Sequence, residues 1–207
     1  MGALLDFFLP SACAVCGVPP NPLCRACQCE PKVVEEELAA CLLRYSLELN
    51  EASLAVLSRY KDRGMLALER YLASHLSAVA RTYPSADWLA HPPRNPQNFR
   101  RRGYDPIERL VRRSGLLEGQ RRLRLQPTRA LSDQRKLTAK ARRENLSGGL
   151  HCQAGTGTVL VVDDVVTTGS TASEMVETLQ AAGYEVVGIC AIARRLQSEF
   201  PPREKKA

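Results

Sequence analysis

The stretch Val159-Leu160-Val161-Val162-Asp163-Asp164-Val165-Val166-Thr167-Thr168-Gly169-Ser170-Thr171 decides how the rest of the chain is read. Four consecutive aliphatic residues, Val159 to Val162, show no polar alternation, the pattern of a strand buried on both faces in a parallel sheet. Two aspartates sit at its carboxyl end, followed by a Thr/Gly turn. From about Ser170 to Ala182 the residues Ala172, Val176 and Leu179 stack on one face and the pattern stops at Gly183, which predicts a helix; Val186 to Ala193 predicts another buried strand. In open α/β sheets ligands bind beyond the carboxyl ends of the strands, and a helix N-terminus behind a glycine turn aims backbone N–H groups at an anion. Thr167, Thr168, Ser170 and Thr171 add hydroxyl donors beside Val166, and Gly169 lets the backbone come close, so the turn reads as a phosphate cradle. Asp163 and Asp164 carry the wrong charge for phosphate and should face ribose hydroxyls, with Mg²⁺ nearby. A sugar phosphate satisfies both halves. Taken singly, the acidic pair also reads as an exposed turn and the Thr/Gly segment as an ordinary helix cap. No GK[ST] follows, which excludes a Walker-type loop.

Outward from that stretch, 207 residues with 44% apolar and 25% charged content suit one main soluble domain plus a small appendage. No apolar run approaches the roughly 18 residues of a membrane span, so no membrane insertion is expected. The N-terminus has no basic segment ahead of an apolar one, its first charge being Asp6, and the expected compartment is the cytoplasm. Net charge is +7, but residues 94 to 143 hold 16 Lys or Arg against 4 Asp or Glu. Such a block suits nucleic-acid backbone or a polyphosphate, or is simply a solvated Arg-rich surface.

Four of the eight cysteines form CAVCGVPPNPLCRAC, with Cys13, Cys16, Cys24 and Cys27 in two CxxC pairs. Tetrahedral zinc takes four thiolates, and two CxxC turns present two pairs to one ion, so residues 1–31 read as a zinc ribbon. A redox CxxC or two small disulfides are the alternatives. Cys29 is a candidate substitute ligand, and Cys41, Cys152 and Cys190 read as core thiols.

Residues 32–84 read as a helical hood segment of the main domain, with mixed strand and helix signals to Leu49 and two amphipathic helices interrupted at Lys61 to Gly64. Ala86 to Ala90 predicts a strand entering the proline-rich turn His91 to Pro96, and Asp105-Pro106 an N-cap and first helical residue. Residues 115 to 150, highly charged, predict a long mobile loop with some helix; 85–195 form the core, and 196–207 a disordered tail.

The whole pattern resembles the ComF family, a bacterial branch of the type I phosphoribosyltransferases with an N-terminal zinc ribbon. The resemblance rests on the opening LLDFFLPSACAVCG with LCRAC, on RYKDRG, on RRRGYD, on Gln134, Leu137, Arg142 and Asn145, and on the Val159 to Thr171 stretch, which matches the motif for 5-phosphoribosyl-1-pyrophosphate (PRPP). It implies a central parallel sheet flanked by helices, structural Zn²⁺, Mg²⁺ accompanying PRPP, and a role in DNA uptake with single-stranded DNA or competence proteins as partners. By matching position, Asp163 and Asp164 hold the ribose hydroxyls, Val166 to Thr171 the 5-phosphate, Arg102 and Gly103 the pyrophosphate, and Gln134, Arg142 and Asn145 a loop that closes over the site. Where the family reads RGFNQ this chain reads RGYDP, and the usual Val-Pro before the turn is Ala90-His91. Two other functions stay in view: a nucleobase phosphoribosyltransferase of nucleotide salvage, and a non-catalytic single-stranded DNA-binding module. His91 is the nearest candidate base, though a histidine beside prolines also reads as a turn residue.

Overall fold

The computed structural model describes residues 12–116, 119–128 and 149–196. A cysteine-bearing loop closed by a 3-10 turn at Arg25–Cys27 leads into a hairpin, β1 (Val34–Leu38) and β2 (Cys41–Glu48). Helix α1 (Glu51–Arg63) starts at Asn50, whose side chain accepts from Ser53 N at 3.0 Å while Ser53 Oγ accepts from Asn50 N at 2.9 Å, a reciprocal cap. It ends at Gly64, which adopts φ +66°, the left-handed conformation that glycine takes without a Cβ penalty. Helix α2 (Glu69–Ala80), strand β3 (Trp88–His91) and two short helices follow, α3 (Pro96–Arg102) and α4 (Pro106–Arg113). Both short helices carry proline in the first turn, and Asn95 and Asp105 cap them by accepting backbone N–H bonds. Strand β4 (Arg121–Arg124) and a two-strand ribbon, β5 (Gln126–Pro127) with β6 (Leu150–His151), precede β7 (Thr158–Val166), α5 (Ser170–Ala181) and β8 (Glu185–Arg194).

The main sheet runs β1-β2-β8-β7-β3-β4. Every neighbouring pair from β2 to β4 is parallel, and β1 is antiparallel at one edge. Strand β7 is central and buries alternate residues in opposite directions. Leu160 and Val162 join α2 and α4 through Leu72, Leu76 and Leu110, while Val159 and Val161 join α5 through Met175 and Leu179. That two-sided burial is why the run has no polar alternation. The fold is therefore the expected one: α/β, a central mostly parallel sheet flanked by helices, with a cysteine cluster in front. Cys13, Ala14 and Leu23 of that cluster loop are buried in the same apolar layer as α2 and α4. Cys41, Cys152 and Cys190 are buried. No helix among the described residues is long and apolar enough to cross a membrane.

Four details differ from the sequence reading. Residues 34 to 48 are a strand hairpin whose second strand pairs with β8, so this segment supplies an edge of the sheet as well as helices. Helix α1 continues through Lys61–Arg63 and breaks only at Gly64. Strand β7 continues two residues past the acidic pair, to Val166, so Asp163 and Asp164 lie within the strand near its carboxyl end. Within the expected 115–150 loop, Arg121–Arg124 is a strand, because an edge strand needs to bury little and Leu123 alone of the four is buried. Gln134, Arg142 and Asn145 lie outside the described residues, as does the tail from 197 onward.

Candidate functional site

A cleft of about 520 Å³ opens at the carboxyl ends of β7 and β3. Its floor is Asp163, Asp164 and Val165 of β7; Thr167 and Thr171 of the following turn and α5 form one side. The opposite side is the proline-rich turn and α3, with Arg94, Asn98, Phe99 and Arg102, while the end of α1 contributes Lys61 and Asp62. The structure thus brings the acidic pair, two hydroxyls of the cradle and Arg102 to one cavity. A bound sugar phosphate could meet all three at once.

The geometry of the turn follows from how it is held. Gly169 is the N-cap of α5 with φ +82°, and a Cβ there would stand 2.6 Å from Leu38 Cδ1, so any other residue would be strained and pushed against the β1 edge. Thr168 Oγ1 and Ser170 Oγ are hydrogen-bonded at 2.9 Å, which spends those hydroxyls on the turn's own shape and leaves Thr167 and Thr171 facing the cleft. Beneath the turn, Arg194 is buried: its guanidinium donates to the carbonyl oxygens of Thr167 and Val166 and its Nε lies 2.6 Å from Glu36 Oε1. Turn, last residue of β8 and edge strand β1 are tied by one cation. Arg194 and Glu36 carry no signal in the sequence, since a single arginine after VVGICAIA looks like a strand end.

Charges on the floor are already partnered. Lys61 Nζ lies 2.6 Å from Asp164 Oδ2. Asp163 accepts from Asp164 N at 2.8 Å, and its carboxyl is held well above the usual carboxylate range by removal from water and by the neighbouring Asp164. The two carboxyl groups are oxygen donors of the kind Mg²⁺ takes, and a cation at Asp164 would take the place of the Lys61 ammonium. Arg102 Nη2 is 2.7 Å from Asp62 Oδ1, and Arg101 Nη2 is 3.0 Å from the same oxygen. Lys61 and Asp62 were legible only as a polar interruption in a helix and as part of RYKDRG; their partners lie 39 to 103 residues away in the chain, beyond any local pattern.

Other expected residues fall elsewhere. Gly103 caps α3 with φ +76° and lets the chain turn into Tyr104 and Asp105; it does not line the cleft. Asp105, at the departure from RGFNQ, accepts from Glu108 N at 3.3 Å, so it caps α4. His91, the last residue of β3, does not line the cleft; its Nδ1 lies 3.0 Å from Pro92 O and its Nε2 3.4 Å from Glu108 Oε2.

The second chemical cluster is Cys13, Cys16, Cys24 and Cys27, whose sulfurs all lie within 4.8 Å of one another, with Cys16 and Cys24 at 3.7 Å. Tetrahedral zinc–thiolate geometry separates sulfurs by about 3.8 Å, so the four can hold one metal ion. For Cys13, burial opposes ionisation, but backbone N–H groups of Cys24, Cys16 and Val15 outweigh it and hold the thiol down at about 6, whereas hydrogen bonding to Cys24 and burial push Cys27 up to about 12. Cys29 Sγ instead sits 3.1 Å from Tyr71 Oη, outside the four.

The phosphoribosyl transferase domain model matches residues 154–207, which take in β7, the cradle, α5 and β8. No curated protein matches the sequence. Solved structures similar to this chain include the allosteric regulatory enzyme of purine biosynthesis, at 19% identity and TM-score 0.37, covering 59% of this chain and 25% of that one. Adenine phosphoribosyltransferase from Leishmania tarentolae is 15% identical with TM-score 0.41, over 78% of this chain and 82% of the other. Orotate phosphoribosyltransferase from Aeropyrum pernix is 16% identical with TM-score 0.34, over 73% and 80%. This chain thus spans a quarter of the length of the regulatory enzyme and most of the length of the other two.

Proposed function

We propose that this chain is a PRPP-binding protein of the ComF type, taking PRPP or another ribose 5-phosphate ester in the cleft over β7. One observation carries the reading: Asp163, Asp164, Thr167, Thr171 and Arg102, drawn from three elements, face a single cavity of about 520 Å³, a volume suited to a small ligand. In this reading the 5-phosphate lies against Thr167 to Thr171, the ribose hydroxyls against the acidic pair, and the pyrophosphate against Arg102.

Transfer chemistry fits the same placement. The bond from C1 to the pyrophosphate oxygen breaks with its electron pair leaving on pyrophosphate, and an acceptor nitrogen, as of a nucleobase, bonds to C1. Arg102 takes up charge on the leaving group, and the carboxylates offset the cationic sugar. Asp163 and Asp164 are the residues that would hold Mg²⁺ beside the hydroxyls, where the ion supplies charge neutralisation for the diphosphate. The four cysteines hold structural Zn²⁺, a closed thiolate set with no open position for chemistry. The role in DNA uptake, in the cytoplasm with single-stranded DNA or competence proteins as partners, rests on the family resemblance.

Calorimetry with PRPP and Mg²⁺ tests the site. Wild type should bind, and the double variant Asp163→Asn/Asp164→Asn should lose at least 100-fold in affinity, about 2.7 kcal/mol. Equal affinity of the two proteins refutes the assignment.

A further inference from the structure

The cleft contains a sequence-adjacent pair of opposite charges that reach to opposite walls. Lys61 lies 2.6 Å from Asp164 on the β7 floor, and Asp62 lies 2.7 Å from Arg102 on α3. Resting on the reading above, we propose that Lys61 and Asp62 stand in for the cation and the polyanion of the ligand, so that the cleft admits a metal-bound diphosphate ester and disfavours either ion alone.

Each ion alone would face an unfavourable exchange. A diphosphate without its cation must displace the Asp62 carboxylate from Arg102 and then share the cleft with the Asp62 and Asp164 carboxylates. A divalent cation without diphosphate must displace the Lys61 ammonium from Asp164 and leave it beside the incoming charge. Either exchange breaks one partly buried pair and adds a like-charge contact. Arriving together, cation and diphosphate replace both internal charges with charges of the same sign in the same places, and both walls stay compensated.

Two local features suit such an exchange. Helix α1 is anchored by the buried Val56, Leu57 and Tyr60, and the Tyr60 hydroxyl donates to Pro106 O at 3.1 Å, so the helix axis stays fixed. Arg102 is also under-satisfied. Among the described residues its Nε has no acceptor, so Asp62 occupies one edge of a guanidinium that a diphosphate, with more oxygens, could engage more fully.

The test uses the full chain and inorganic pyrophosphate, titrated by calorimetry with EDTA and again with Mg²⁺. In wild type, metal-free pyrophosphate should bind at least tenfold more weakly than the magnesium complex. Asp62→Asn, with Asp62→Ser as a second variant, should tighten metal-free pyrophosphate at least tenfold and shrink the magnesium dependence. Lys61→Met should tighten Mn²⁺ alone, followed by paramagnetic resonance, by a similar factor. Unchanged or weaker pyrophosphate binding in both Asp62 variants overturns the proposal, as does weaker Mn²⁺ binding in Lys61→Met. The double variant Asp163→Asn/Asp164→Asn separates the two readings. If it binds magnesium pyrophosphate like wild type, the cleft assignment itself fails. If it loses binding while the Lys61 and Asp62 variants behave as wild type, only the stand-in role fails.

Discussion

Among the described residues the four-cysteine cluster and the cleft both gather reactive groups, and they are built in opposite ways. The cluster takes all its groups from Cys13 to Cys27, with sulfurs that face one another. The cleft draws on Lys61–Asp62, on Arg102 and on Asp163 to Thr171, and its charges are paired across elements far apart in the chain. A local cluster has chemistry fixed by spacing and is closed, which suits stabilisation. A cleft assembled from distant segments stays open at the sheet's carboxyl edge and can exchange its internal partners for a ligand. The two should therefore fail independently.

If the cluster carries zinc as proposed, removing it should have the largest effect. Structural zinc contributes roughly 10 kcal/mol or more in isolated zinc fingers. Chelation should make the four cluster thiols reactive, expose Leu23 and lower the melting temperature, while PRPP affinity changes less than threefold. A parallel loss of ligand binding, read by calorimetry on the chelated protein, would erase the distinction. Arg194→Met comes next. It leaves Glu36 and the carbonyls of Val166 and Thr167 without their buried cation, and removing one partner of a buried pair costs about 3 kcal/mol. Denaturant unfolding should show that loss, together with weaker ribose 5-phosphate binding and unaltered thiol reactivity in the cluster.

A pH effect of intermediate size comes from the cleft floor. The Asp163 carboxyl titrates higher in the fold than in the unfolded chain, so its contribution to stability is complete below about pH 4 and is lost as pH rises toward about 8. Asp163→Asn removes that loss. The variant should match wild type near pH 4 and gain at least about 1.4 kcal/mol on it by pH 8, one pKa unit's worth; a constant difference across that range in urea melts would mean that the buried Asp163 carboxyl is not the source of the effect. Arg100→Ala should do least. Arg100 is exposed and does not line the cleft, so PRPP affinity and stability should stay within about 0.5 kcal/mol.

The same contrast explains what the sequence made legible. β7, α5 and β8 could be read because each is long, apolar in a regular pattern and bounded by its own signals, Gly169 and Gly183 among them. The cysteine cluster and the Asp105 cap were equally local. β4 was hidden, because an edge strand with one buried residue, Leu123, has no apolar run to betray it among arginines. Lys61, Asp62, Arg194 and Glu36 were hidden for a different reason: each takes its meaning from a partner elsewhere in the chain, and Glu36 and Arg194 stand 158 residues apart. Pairing of that kind becomes visible only when the order β1-β2-β8-β7-β3-β4 is known.

The central claim is that one cleft holds a monoester phosphate at the α5 turn and a diphosphate at α3. Phosphorus NMR of PRPP titrated with the full chain in Mg²⁺ reads the two groups separately. Both the 5-phosphate and the diphosphate resonances should shift or broaden in wild type, with the 5-phosphate effect falling away in Thr171→Val and the diphosphate effect falling away in Arg102→Gln. A 5-phosphate resonance that stays at its free position while the diphosphate responds would contradict the claim.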